Sequence, residues 1–122
     1  MYNPIRIHRV SFKHAFDGIF YTITSQPNFR FHLLAMISVI LLGFYFSISI
    51  SEWLILIFTF NMVLVAEMVN TSVESIVDLI IVERHQLAKT AKDVAAGTVL
   101  ISAILSIAIG FVIFLPKIIN TL

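Results

Sequence analysis

Five polar side chains in an otherwise apolar stretch mark where this chain could do chemistry. In Ala66 to Asp78, A-E-M-V-N-T-S-V-E-S-I-V-D, the residues Glu67, Asn70, Thr71, Glu74 and Asp78 follow one another at steps of three, one, three and four. At about 100° per residue this spacing gathers them on one helix face roughly 100° wide. Met68, Val69, Val73, Ile76 and Val77 lie between them. Three carboxylates so close on an apolar helix repel one another and resist desolvation, so they need a metal, another cation or protons. Mg²⁺ takes carboxylate oxygens together with substrate phosphates. A further carboxylate can accept the proton of an attacking hydroxyl. The pattern alone also fits the solvated end of an ordinary helix.

The elements that carry this stripe must be membrane helices. The chain has 122 residues, of which 59% are hydrophobic and 12% charged, with a mean hydropathy of +0.99. A soluble domain is about 25% charged, and a core of this size cannot bury so much apolar surface. We therefore expect an all-α integral membrane protein, one domain over residues 1–122. There is no cysteine, which excludes disulfides, thiolate chemistry and Cys-based zinc sites. A net charge of +1 gives no reason to expect nucleic acid as a partner. Arg6, Arg9, Lys13, Asp17 and Arg30 interrupt any signal-peptide core, and no lipidation motif is present.

Four helices are expected in order. Residues 4–26 set Ile5, Phe12, Phe16, Ile19, Phe20 and Ile23 against Arg6, Arg9, Lys13, His14 and Asp17, the pattern of an amphipathic helix lying in the membrane surface. Gln26-Pro27-Asn28 breaks it. A first span is expected over 29–50, because Phe31 to Ile50 is twenty residues without formal charge if His32 is neutral. His32, at the start of that span, reads as an interfacial hydrogen-bonding residue rather than a metal ligand, and His8 as a solvated one. Trp53 follows a short turn as an interfacial aromatic. The second span, 52–82, would reach about 46 Å, longer than the hydrocarbon core, which puts Glu67 just inside one boundary with Glu74 and Asp78 near or beyond it. A third span, 86–115, is expected to end at Pro116, with Ala95, Ala96 and Gly97 offering a small-residue surface for another helix.

Seven of the eight basic residues, Arg6, Arg9, Lys13, Arg30, Arg84, Lys89 and Lys92, fall on the side that holds the N-terminus and the 83–93 connection. The positive-inside rule makes that side cytoplasmic. The acidic stripe then faces the compartment that holds ATP. Carboxylates beside Lys and Arg at a lipid boundary suit phosphoryl transfer to a lipid alcohol. No P-loop, kinase Gly-rich or H-R-D motif is present, so an ATP site would have to be built from these helices. Two other readings stand beside this one: an ion- or proton-coupled membrane subunit and a catalytically inactive membrane scaffold.

Several pieces resemble the prokaryotic diacylglycerol kinase family, nearest its Gram-positive, undecaprenol kinase-like branch: S-F-K-H-A-F-D-G-I (11–19), N-F-R-F-H (28–32), E-M-V-N-T-S-V-E-S-I-V-D (67–78) and L-A-K-T-A-K-D-V-A-A-G (87–97). The resemblance runs nearly end to end. It implies an ATP-dependent lipid kinase in the bacterial plasma membrane, a homotrimer of three-span protomers with Mg²⁺ as cofactor, and undecaprenol favoured over diacylglycerol. It also implies roles residue by residue. Glu67 matches the general base, Glu74 a metal-binding carboxylate, and Asn70 and Ala96 stand near the lipid. His14, Glu83, Arg84, His85, Lys92 and Asp93 match nucleotide contacts. The family's second metal-binding Glu is Gln26 here, an oxygen ligand without charge, and an Arg common in the family near position 7 is Ile7.

Overall fold

The computed structural model describes residues 11–122. They form four helices: α1 (Phe12–Ser25), α2 (Pro27–Tyr45), α3 (Ile50–Ile80) and α4 (Gln86–Ile119). The expected beginning of the surface helix at residue 4, and with it Arg6, Ile7, His8 and Arg9, lies outside the described residues. Three helices, α2, α3 and α4, are long and apolar enough to cross a membrane. The fold is thus the expected all-α membrane architecture. At 1.5 Å per residue, the 31 residues of α3 reach about 46 Å.

Local chemistry accounts for the boundaries. Ser11 caps α1, its Oγ accepting from the His14 N–H at 3.4 Å. The break after α1 is a single residue: Gln26 is extended, its N–H donating to Thr22 O at 2.9 Å, and Pro27 already opens α2. Proline fits a first helical turn because no partner exists there for its missing N–H. The first span therefore starts at 27 rather than 29, and it ends at Tyr45 rather than 50. Ser47 there adopts φ 49°, which turns the chain. Gly43 allows this corner to close, since a Cβ on it would stand 2.6 Å from Cη2 of Trp53.

Ser49 then forms a capping box at the head of α3. Its N–H donates to Glu52 Oε2 at 2.7 Å, and the Glu52 N–H donates to Ser49 Oγ at 3.3 Å. This moves the helix start to Ile50, two residues before the expected one, and α3 ends at Ile80 instead of 82. The α4 helix also departs from expectation: it continues through Pro116 to Ile119. A proline in the last turn removes one intrahelical donor without undoing the turns before it, and the Asn120 N–H closes the end on Pro116 O at 3.1 Å.

The buried core lies at the capping-box end. Ile48, Leu56, Ile113 and Phe114 pack there, with Val39, Phe46, Trp53, Phe60 and Ile109 against them. Lys117 near the end of α4 donates to Glu52 at 3.0 Å, tying the head of α3 to the tail of α4. Large apolar side chains such as Phe44, Phe58, Leu100, Phe111 and Val112 are exposed. An apolar surface this extensive fits lipid, not water. The opposite end, where residues 81–85 join α3 to α4, carries the polar residues.

Candidate active site

Glu67 is the most buried charged group in the described chain, with 2% of its surface exposed. Two features of α3 put it there. Leu56, Thr59, Val63, Ala66 and Thr71 share its buried side, and α2 packs across that side. The Nε2 of His32, one and a half turns into α2, stands 3.3 Å from Glu67 Oε1. The ring N–H is not aimed within hydrogen-bonding geometry, so Oε1 has a close neighbour and no hydrogen bond. One turn along the same face, Asn70 donates its Nδ2 to Glu74 Oε1 at 3.2 Å. Its own carbonyl, Oδ1, is buried without a partner. Thr71 donates to the backbone O of Glu67 at 2.9 Å. The polar face read from the spacing is therefore real and half-buried, and it carries two orphaned acceptor oxygens.

Beyond Ile80 the chain opens into a cleft of about 590 Å³ walled by Asp78, Glu83, Arg84, His85, Lys92 and Asp93 among others. Lys92 reaches back across it to Asp78, Nζ to Oδ1 at 2.5 Å. Asp78 is thus held by Lys92, fourteen residues away in sequence. Lys89 pairs with Asp93 at 2.6 Å. His85 caps α4, its Nδ1 accepting from the Leu87 N–H at 3.2 Å. All these pairs are largely exposed, and such pairs hold geometry more than they stabilise.

The chain gathers Glu67, Asn70 and Glu74 along α3, and the remaining loop and α4 residues around the cleft. His14 stands apart on α1, exposed, with Asp17 Oδ2 3.9 Å from its Nδ1. Gln26 caps the α1–α2 junction through its backbone, and its side chain makes no cap hydrogen bond. Neither side chain is hydrogen-bonded to the α3 carboxylates. Among the described residues no three His, Asp or Glu side chains converge on a metal position. The donor set still suits Mg²⁺: a carboxylate, an amide oxygen and an orphaned Asn70 oxygen are all hard oxygen ligands. Ala96 is exposed on α4, while Ala95 beside it is buried. The His32–Glu67 contact is the feature that sequence reasoning missed, since no spacing links residues on different helices.

Comparison with known proteins meets the same residues. A sequence model of the prokaryotic diacylglycerol kinase family matches residues 13–114. The undecaprenol kinase of Bacillus subtilis (strain 168) is 45% identical over 107 residues, which cover 88% of this chain and 87% of that one. The diacylglycerol kinase of Synechocystis sp. is 37% identical over 112 residues, 91% of this chain and 64% of that one. The diacylglycerol kinase of Helicobacter pylori (strain ATCC 700392 / 26695) is 33% identical over 100 residues, 76% of this chain and 78% of that one. A match that spans all three membrane helices and the whole polar face places this lipid kinase in its family: the chain belongs to the prokaryotic diacylglycerol kinases.

Proposed function

We propose that the protein transfers the γ-phosphoryl group of ATP to the hydroxyl of a membrane lipid alcohol, with undecaprenol preferred to diacylglycerol, at the cytoplasmic face of the bacterial plasma membrane. The observation that carries this reading is the buried Glu67, with an oxygen free of hydrogen bonds, on the same helix face as Asn70 and Glu74. His32, which faces Glu67, lies one and a half turns into α2, nearer the end we propose as cytoplasmic than the middle of that span, where an ion path would need a carboxylate. A lipid hydroxyl stands at that boundary depth. Glu67 takes its proton as the oxygen attacks the γ-phosphorus. Arg84 and Lys92 on the cleft wall neutralise phosphate charge and orient the nucleotide. Asn70 fixes Glu74 through its amide. When bound with ATP, Mg²⁺ supplies neutralisation of the phosphate oxygens, and Glu74 and Gln26 would hold it.

The undecaprenol preference rests on the higher identity to the relative named for that substrate. We also infer a homotrimer. Gly97 is open, with nothing within 4 Å of a Cβ placed on it, and such small-residue surface admits a neighbouring helix. The single chain leaves Glu74 and the cleft only partly shielded, and a neighbour would cover them. The test is purified protein in lipid–detergent micelles with Mg²⁺-ATP and a panel of lipid alcohols. Phosphorylated undecaprenol should form fastest. No product from any alcohol would return the scaffold reading. Light scattering of the same sample should give three chains per particle, and a fully active monomer would contradict the trimer.

A further inference from the structure

We propose that His32 is a positioning residue for the transfer: its Nε2–H holds Oε1 of Glu67, which leaves Oε2 turned toward the lipid hydroxyl. This rests on the reading of Glu67 as the base. The polar neighbours of Glu67 on α3 are already committed elsewhere. Asn70 gives its amide to Glu74, and Thr71 gives its hydroxyl to a backbone oxygen. His32 is the one side-chain donor that another described helix brings within 3.3 Å of the carboxylate. Both groups are shielded, with 17% and 3% of their side chains exposed, so water cannot do the same work.

A carboxylate that rotates freely presents its oxygens in no fixed direction, and a misplacement of about 1 Å costs about 10² in rate. The imidazole is a rigid ring, and it stands edge-on to Phe31 with centroids 5.9 Å apart. A small rotation of it turns the present contact into a hydrogen bond, and such bonds commonly tighten only when substrate arrives. During transfer the O–H bond of the lipid breaks, its oxygen bonds to the γ-phosphorus, and the bond from that phosphorus to the bridging oxygen breaks. The proton goes to Glu67 Oε2, the electron pair leaves with ADP, and His32 keeps its own proton throughout.

The experiment compares His32→Gln and His32→Leu, both of which fill the ring's place, with Glu67→Gln and the double variant Glu67→Gln/His32→Leu. All are assayed for kcat and ATP KM with Mg²⁺-ATP and undecaprenol, after thermal melting confirms folding. His32→Leu should lower kcat about 10- to 100-fold with the ATP KM within about two-fold. His32→Gln, whose amide reaches the same oxygen, should stay within about five-fold of wild type. On the Glu67→Gln background, His32→Leu should cost nothing further. Equal kcat for the Leu and Gln variants, or an unchanged kcat for Leu, overturns the proposal. If the Leu variant does not fold, a folded His32→Gln with the full loss overturns it by itself, and one near wild type supports it. Retained turnover in Glu67→Gln alone sinks the base assignment instead, which is a separate outcome.

Discussion

Replacing Glu67 by Gln removes a proton acceptor and a charge while leaving length and volume nearly unchanged. Loss of a general base typically lowers turnover by about 10² to 10⁴, equivalent to about 2.7–5.4 kcal/mol of transition-state stabilisation. The structure predicts that this loss comes without unfolding. Glu67 is 2% exposed with Oε1 unpaired, so a neutral amide removes a buried charge, and its oxygen can still accept from the His32 ring. Its stability should lie within about 1 kcal/mol of wild type. Glu67→Asp separates charge from reach: it keeps the carboxylate but withdraws it by about an ångström, which predicts a fall of about 10². ADP release with Mg²⁺-ATP and undecaprenol measures turnover, and thermal melting in the same detergent measures folding. Near-normal turnover for Glu67→Gln removes the residue from the role. Loss of turnover together with loss of the folded state would mean that Glu67 serves the fold and would refute its assignment as the base.

Lys92→Ala should raise the ATP KM more than it affects the lipid. Asp78→Asn, which breaks the same 2.5 Å pair but keeps the cation, should not, and equal effects from both variants would assign Lys92 to the pair alone. Gln26→Glu adds a charge where the α1–α2 junction would approach the metal, so it should lower the Mg²⁺ concentration for half-maximal rate; an unmoved midpoint takes Gln26 away from the metal. Gly43→Ala should destabilise by about 1–3 kcal/mol, because its Cβ would meet Trp53 at 2.6 Å and 2.9 Å and Ile48 at 3.1 Å; a wild-type melting profile in detergent would show that the corner yields freely.

What the sequence made legible follows from local rules. Uninterrupted apolar runs marked the spans, and helical periodicity put Glu67, Asn70 and Glu74 on one face, as α3 shows. The ends were less legible, because caps decide them. The Ser49–Glu52 box sets the start of α3, and Pro116 looks like a stop in sequence although the last turn tolerates it. Partners across helices were not legible. Nothing in the spacing pairs Asp78 with Lys92, fourteen residues on, and only the packing of α3 on α4 brings the two together. In sequence His32 reads as an interfacial hydrogen-bonding residue without a named partner, because only the crossing of α2 on α3 brings it to Glu67.

The two ends of α3 are fastened differently, and that makes the helix a lever. The Lys117–Glu52 bridge and the aromatic core grip it beside residue 52, while the stretch from Glu67 to Asp78 is held farther along by α2 and by the exposed Lys92–Asp78 pair. At about 1.5 Å per residue, Glu67 rides about 22 Å from that fulcrum and Asp78 about 39 Å. A tilt of about 2° then moves Glu67 by about 0.8 Å and Asp78 by about 1.4 Å. Bilayer thickness acts on helix tilt directly. A change in membrane thickness that tilts α3 about this end would therefore shift the cleft beyond Ile80 nearly twice as far as Glu67.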